Sequence, residues 1–119
     1  MKKIGFVLLV ASLMSFTADL NQLIKTKINI SVLDQTGNAV GGAEVRIYAS
    51  KTDYQQKKNE VTLPKFTNKK GKALFVGLEK KKYFIRVEKG DMDNSDSGVI
   101  TEELVPHRIN KFSTIVSDF

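Results

Sequence analysis

The stretch Tyr83-Phe84-Ile85-Arg86-Val87-Glu88 decides the fold of this chain. Its odd-numbered residues are bulky and apolar, whereas its even-numbered residues include an arginine and a glutamate. Successive side chains of a β-strand point to opposite faces of the sheet, so this alternation predicts a strand with one buried face. The same period recurs in residues 28–32 and 45–47. No segment combines capping residues with a helical period over ten residues, so we expect at most a single helical turn.

Turn signals separate these segments at short intervals along the chain. Residues 34–38 and 67–71 are rich in Asp, Asn, Thr and Gly, and residues 80–82 are three lysines. Two further strands are expected at Val99–Val105, where Pro106 ends the strand, and at Phe112–Val116. Short strands with such spacing predict an all-β, antiparallel sandwich or barrel.

One segment, from Lys51 to Lys65, is too long for a hairpin loop. It begins with polar residues and becomes strand-like at residues 61–63, just before Pro64. A proline is tolerated at the edge of a sheet because no neighbouring strand needs its missing N–H. We therefore expect a mobile loop that leads into a short edge strand at Val61–Leu63.

The N-terminal residues have the pattern of a secretory signal peptide. Lys2 and Lys3 precede a nearly unbroken apolar run, which is too short to span a bilayer comfortably. We expect a signal peptide at residues 1–18 and a single domain at residues 26–119. Cleavage could follow Ala18, Ser15 or Thr17, and an uncleaved anchor is the alternative. The expected product is periplasmic or secreted, with no stable membrane span after cleavage.

Composition excludes several classes of site. The chain contains no cysteine and a single histidine, His107, so disulfides, thiolate zinc sites, cysteine nucleophiles and multi-histidine metal centres within one chain are excluded. The lysines at 69–72 and 80–82 are predicted at opposite ends of the domain. Two separate basic tips without interleaved aromatic residues do not form a nucleic-acid interface, so no nucleic acid is expected as a partner. His107 is expected on the surface.

Several segments together resemble the carboxypeptidase regulatory-like domains, which have a transthyretin-like fold. The resemblance rests on four segments: Asp34-Gln35-Thr36-Gly37-Asn38-Ala39-Val40, Gly42-Ala43-Glu44-Val45-Arg46-Ile47-Tyr48, Thr67-Asn68-Lys69-Lys70-Gly71-Lys72-Ala73-Leu74-Phe75 and Lys82-Tyr83-Phe84-Ile85-Arg86-Val87. It implies a Greek-key β-sandwich of about seven strands. In that family the domain is usually an accessory to a larger protein. A shared fold does not by itself carry a function.

Two relatives of that fold have chemistry that can be compared with this sequence. Hydroxyisourate hydrolases use several histidines and end in Tyr-Arg-Gly-Ser, whereas this chain ends in Ser117-Asp118-Phe119. Collagen-adhesin B-type repeats often form a Lys–Asn isopeptide bond beside a buried glutamate on the same strand face as the tyrosine. Here Glu88 falls on the face opposite Tyr83, so neither chemistry is expected.

An acidic loop provides the one candidate metal site. Asp91, Asp93, Ser95 and Glu102 occupy positions 1, 3, 5 and 12 of a calcium-loop pattern, and their hard oxygen ligands suit Ca²⁺. Position 6, which requires glycine in such loops, is Asp96. The alternative is a solvated turn, where Asp, Asn and Ser are common in any case. No other cofactor is predicted.

These observations predict a non-catalytic, exported β-sandwich that serves as a binding or structural accessory module of the cell envelope. Its partner would be an envelope protein or a polysaccharide, held by the loops at residues 51–65 or 91–98. A second hypothesis is a self-assembling fibre or adhesion component, in which an edge strand at residues 61–63 or 112–116 pairs with a neighbouring copy. A third is a small carboxylate-dependent hydrolase, which would need two acids in a cleft.

Overall fold

The computed structural model describes residues 25–118, and the predicted signal peptide lies outside them. Among these residues, no helix is long and apolar enough to cross a membrane. Seven strands and one short helix form the domain. In chain order they are β1 (Lys27–Leu33), β2 (Glu44–Tyr48), α1 (Lys51–Gln56), β3 (Lys65–Phe66), β4 (Lys72–Val76), β5 (Phe84–Lys89), β6 (Met92–Asp93) and β7 (Ile109–Ile115).

The strands form two sheets that pack face to face. One sheet has three strands in the order β4-β1-β7, and the other has four in the order β3-β2-β5-β6. All pairs are antiparallel except β1 with β7, which run parallel with Lys27 opposite Ile109. The predicted all-β sandwich is confirmed. The parallel pair was not foreseen, and it arises because the last strand returns beside the first in the same direction.

The core lies between the sheets and follows the alternation that the sequence displays. In β1, β2, β4 and β5 every second side chain is buried, and Val87 and Ile85 of β5 are fully inaccessible. The buried apolar set comprises Ile28, Ile30, Val32, Val40, Ala43, Val45, Ile47, Ala73, Phe75, Leu78, Tyr83, Ile85, Val87, Leu104 and Val116. Burying this apolar surface is the main favourable contribution to folding.

The strand predicted at Val99–Val105 is wrong. Ile100 makes only an isolated bridge to Phe84, although the Ile85 amide donates to the Val99 carbonyl at 2.7 Å. Beyond this point the Thr101 hydroxyl donates to the adjacent Glu102 carbonyl at 2.7 Å and accepts from the Tyr83 amide at 3.0 Å. The Thr101 and Leu104 amides still donate to the Tyr83 and Lys81 carbonyls, at 2.9 and 3.1 Å, but these acceptors precede β5, so the segment leaves the sheet without a regular ladder.

The segment predicted as a mobile loop begins instead with helix α1. Ser50 is its N-cap, since its hydroxyl accepts from the Asp53 amide at 3.1 Å, and the left-handed Lys57 ends it. The helix has six residues, slightly more than the single turn expected. The edge strand lies at Lys65–Phe66, directly after Pro64, and not at residues 61–63.

The turn after β1 is organised by the carboxylate of Asp34. Its Oδ1 accepts from the Thr36 amide at 3.0 Å, the Thr36 hydroxyl at 2.7 Å and the Asn38 amide at 2.9 Å. These bonds, led by that from the Thr36 hydroxyl, favour the charged form and lower the pKa of Asp34 below 3.8. The sequence prediction of a turn here is confirmed, with a side chain that supplies the closing bonds.

We expect this turn to contribute an acid-sensitive part of the stability. A lowered pKa in the folded state stabilises the protein above the unfolded value of 3.8, and this contribution is lost as pH falls through the lower folded pKa. The substitution Asp34→Ala should therefore lower the thermal midpoint at neutral pH. The difference in thermal midpoint between wild type and this variant should narrow as pH falls below 3.8. Thermal melts across the acid range measure it, and a gap that stays constant would contradict this assignment.

Candidate functional site

The acidic loop folds around Asp93, which lies at the end of β6. Its Oδ1 accepts from the Ser95 hydroxyl at 2.6 Å and from the Ser95 amide at 3.0 Å. The hydroxyl bond, followed by the amide bond, lowers the pKa of Asp93, and the positive charge of Arg86 adds to this effect. Hydrogen bonds from its own side chains thus hold the loop in place, as expected for the alternative of a solvated turn.

The predicted calcium ligands are distributed over two segments. Asp91, Asp93 and Ser95 share the loop, while Glu102 is exposed on the irregular segment that follows Thr101. Among residues 25–118, no group of three or more His, Cys, Asp or Glu side chains is placed to hold a metal ion. The assignment of calcium to Asp91, Asp93, Ser95 and Glu102 therefore stays a prediction.

A calcium ion at this loop would stabilise the folded state by mass action. If the site exists, millimolar Ca²⁺ added after EDTA should raise the thermal midpoint, and the variant Asp93→Asn should lose that rise. Asp53→Asn, on helix α1, is the matched control and should keep it. An unchanged midpoint in wild type at millimolar Ca²⁺ would remove the calcium hypothesis.

The most deeply placed polar residue of the loop is Asn94, which the sequence analysis did not single out. Its side chain is almost fully buried, with a relative exposure of 1%. The Asn94 amide group donates to the Ile85 carbonyl at 3.0 Å, and its oxygen accepts from the Val87 amide at 2.9 Å. The Asn94 side chain thus makes two hydrogen bonds to β5 that the backbone of a neighbouring strand would otherwise make. The only signal in the sequence is an asparagine in a turn, which is too common to identify this role.

Removing this side chain should destabilise the protein strongly. The variant Asn94→Ala leaves the Ile85 carbonyl and the Val87 amide buried without partners, at a cost of about 2 to 4 kcal/mol for the two groups. Urea unfolding followed by circular dichroism measures the loss. The neighbouring variant Ser95→Ala, at an exposed position, should change stability much less. Equal effects of the two variants would contradict the role given to Asn94.

Helix α1 covers part of the outer face of the four-stranded sheet. The Tyr54 ring packs edge-on against Tyr48, with centroids 6.0 Å apart, and lies 6.1 Å from Phe84. The Arg86 guanidinium stacks 4.2 Å from the Tyr54 ring centroid, and its Nη2 donates to the Tyr54 carbonyl at 2.7 Å. This part of the proposed binding loop is a packed cover, held by aromatic and cation–π contacts.

Beside this helix, Arg46 forms ion pairs with two glutamates. Arg46 Nε donates to Glu44 at 2.9 Å, and Arg46 Nη1 donates to Glu60 at 2.7 Å. The hydrogen bond to Glu44, followed by that to Glu60, raises the pKa of Arg46. A hydrogen bond between Glu60 and its own backbone, followed by the bond from Arg46, lowers the pKa of Glu60. All three side chains are partly exposed, so the network contributes modestly to stability.

A groove runs along the outer edge of β7. It has a volume of about 260 Å³ and lies between β7 and the irregular segment 100–104. Ile28, Leu104 and Phe112 form its apolar floor, and Glu102 and Glu103 line it as well. Residues 112–115 of the strand predicted at Phe112–Val116 belong to β7, which begins earlier, at Ile109, and lies at the edge of the three-stranded sheet; Val116 lies beyond its end. The position of this groove depends on the segment 99–105 leaving the sheet, which the sequence analysis did not foresee.

The remaining predicted features lie on the surface. Lys69 and Lys70 are exposed in the turn before β4, and Lys81 forms an ion pair of 3.6 Å with Glu79. His107 is exposed in a tight turn with φ of 61°, and its amide donates to the Thr26 hydroxyl at 2.9 Å.

Comparison with known proteins finds structural similarity to pilin proteins but no match to a family model or a curated protein. The structure of this chain is similar to that of a streptococcal ancillary pilin, with a TM-score of 0.58 and 16% identity over 81% of this chain and 33% of that one. It is also similar to the backbone protein of group B streptococcus pilus 2b, with a TM-score of 0.52 and 11% identity over 78% of this chain and 41% of that one. At these identities the likeness shows the β-sandwich fold alone.

Proposed function

We propose that this chain is a non-catalytic structural subunit of an exported assembly, and that copies associate by adding a strand beside β7. The observation that carries the proposal is the combination of a seven-residue edge strand, covered by Ser97 only near its far end, with a partly apolar groove next to it. An open edge strand presents unpaired backbone groups that another chain can bind. This reading favours the fibre hypothesis over a ligand-binding module.

The other edges of the described domain are short or blocked. β3 and β6 have two residues each, too few to template a long pairing. On β4, the Lys65 ammonium donates to the Leu74 carbonyl at 2.8 Å and occupies a backbone acceptor. Charged side chains and short strands are the usual protection of a sheet edge. β7 is the longest of these edges, with seven residues; it carries one lysine, Lys111, and Ser97 covers its far end.

The backbone groups of β7 that face away from β1 follow from the parallel ladder. The Lys27 amide donates to the Arg108 carbonyl, and the Val116 amide donates to the Leu33 carbonyl, so even-numbered residues bond β1. The backbone groups of Ile109, Lys111 and Ser113 therefore face away from β1, and the groove borders this edge at Lys111. At the far end, the Ile115 amide is satisfied by the Ser97 hydroxyl at 3.2 Å.

The shape of the sandwich leaves room for one more strand. The sheet that contains β7 has three strands, whereas the opposite sheet has four. A strand placed beside β7 would continue the smaller sheet and set a side chain over Phe112, which packs only partly buried against the core. The Lys111 side chain lies on the outer face, so the added strand should carry no cation opposite it.

Structural likeness and composition support the proposal without deciding it. Two of the solved structures that resemble this chain belong to an ancillary pilin and a pilus backbone protein, and the chain spans 33% and 41% of their lengths. Export to the periplasm or the exterior remains part of the proposal. Glu102 and Glu103 line the groove, but both are exposed, and the buried polar side chains among residues 25–118 are threonine, asparagine and serine; the hydrolase stays the third hypothesis.

Sedimentation velocity over a range of protein concentrations tests the proposal. Wild type should form dimers or longer species as concentration rises. The variant Ser113→Pro removes an amide that faces away from β1, and its ring obstructs an incoming strand, so association should weaken at least about tenfold. Because the bonds of β7 to β1 come from the even-numbered residues, the thermal midpoint should stay close to that of wild type.

The matched control is Ser113→Val, which keeps the amide and favours a strand. It should associate as wild type does. A monodisperse wild-type monomer at every concentration would overturn the proposed function. Equal association of the Pro and Val variants would show that copies contact one another through a different surface.

A further inference from the structure

The outer face of the three-stranded sheet carries lysines and aliphatic residues but no carboxylate. We call it the cationic face and define it by the outward residues of β1, β4 and β7. Its members are Lys27, Asn29, Ser31, Leu33, Lys72, Leu74, Val76, Ile109, Lys111, Ser113 and Ile115. All of them are exposed or partly exposed. The nearest acid along these strands is Asp34, in the turn beyond the end of β1.

Strand register brings the cations and the aliphatic side chains into common rows. Lys27 lies between Val76 and Ile109, which are 45% and 54% exposed. In the next row, Asn29 separates Leu74 from Lys111. Residues directly opposite on neighbouring strands are in lateral contact, so the face is one surface and not a set of isolated residues.

The opposite side of the domain has a different character. There the outer face of the four-stranded sheet is partly covered by helix α1, and Arg46 is paired with Glu44 and Glu60. The cationic face, by contrast, carries three lysines and no acidic residue among its own members. Exposed Lys25 and Arg108 lie next to its Lys27–Ile109 row and add to the local field.

Protection of sheet edges accounts for only part of this arrangement. Lys72 and Lys111 lie on edge strands, where a lysine discourages unwanted pairing. Lys27 lies on β1, the central strand, which has no free edge to protect. Exposed aliphatic residues also lie beside all three lysines. They favour association, so protection of an edge does not explain them.

We propose that the cationic face docks on the surface of an anionic lipid bilayer. Protein interfaces are enriched in aromatic residues and arginine and depleted in lysine, whereas this face has lysines and no aromatic residue or arginine among its members. Lysines interleaved with aliphatic side chains suit an anionic membrane surface, where charge attraction adds to shallow burial of apolar groups. Strand addition at β7 leaves this face uncovered, so the inference does not depend on the proposed function.

Cosedimentation of the purified protein with lipid vesicles tests the inference. Binding should be strong to vesicles that contain phosphatidylglycerol and weak to pure phosphatidylcholine vesicles. The triple variant Lys27→Gln, Lys72→Gln, Lys111→Gln should lower the partition coefficient at least about tenfold. The double variant Val76→Ser, Ile109→Ser should lower it several-fold at unchanged net charge, because bound apolar area is lost.

A control variant separates a specific face from overall charge. Lys51→Gln, Lys58→Gln, Lys89→Gln removes the same number of exposed lysines elsewhere and should bind almost as wild type does. Equal losses in the two lysine variants would overturn the proposal, as would the absence of vesicle binding. Binding to dextran sulfate that matches vesicle binding, with no effect of the serine variants, would assign the face to polysaccharide instead. Circular dichroism establishes that each variant is folded.

Discussion

The structure depends on β1 being paired along both of its edges. It joins β4 on one side and β7 on the other, while its inward residues Ile28, Ile30 and Val32 are almost fully buried. Through β1 the last strand of the chain is tied to the first, so the domain is closed by contacts distant in sequence. Gly71 makes the pairing with β4 feasible, because a Cβ there would lie 2.7 Å from the Val32 carbonyl oxygen.

The edge strands of the two sheets are covered to different extents. This difference separates a surface that stabilises the fold from a surface that can bind another strand. On the edge of β5, two residues of β6, the Asn94 side chain and single bonds from the segment 99–101 together satisfy the backbone. On the edge of β7, equivalent cover is confined to the end near Ser97. Because a buried backbone group without a partner is costly, the cover beside β5 belongs to the fold. The open part of β7 borders solvent and can accept another strand.

Sequence reasoning succeeded where a residue's environment is set by near neighbours. The alternation in Tyr83–Glu88 gave the correct buried face, and the carboxylate of Asp34 forms the turn that its residue type favours. It failed at Val99–Val105, whose apolar residues suit a strand but whose backbone bonds go to Ile85, Tyr83 and Lys81, mostly before the start of β5, and form no regular ladder. It also missed α1, because that helix depends on Tyr54 packing against Tyr48, Phe84 and Arg86 from other elements.

The sequence by itself determined the class of fold, the buried faces and the positions of the tight turns, since period-two patterning and turn chemistry act over a few residues. Only the tertiary structure decided which strands became neighbours, because pairing depends on contacts across the whole domain. That decision placed the groove beside β7 and assembled Lys27, Lys72 and Lys111 on one face from three separate segments. Both surfaces arise from strand order and register, which no local pattern encodes.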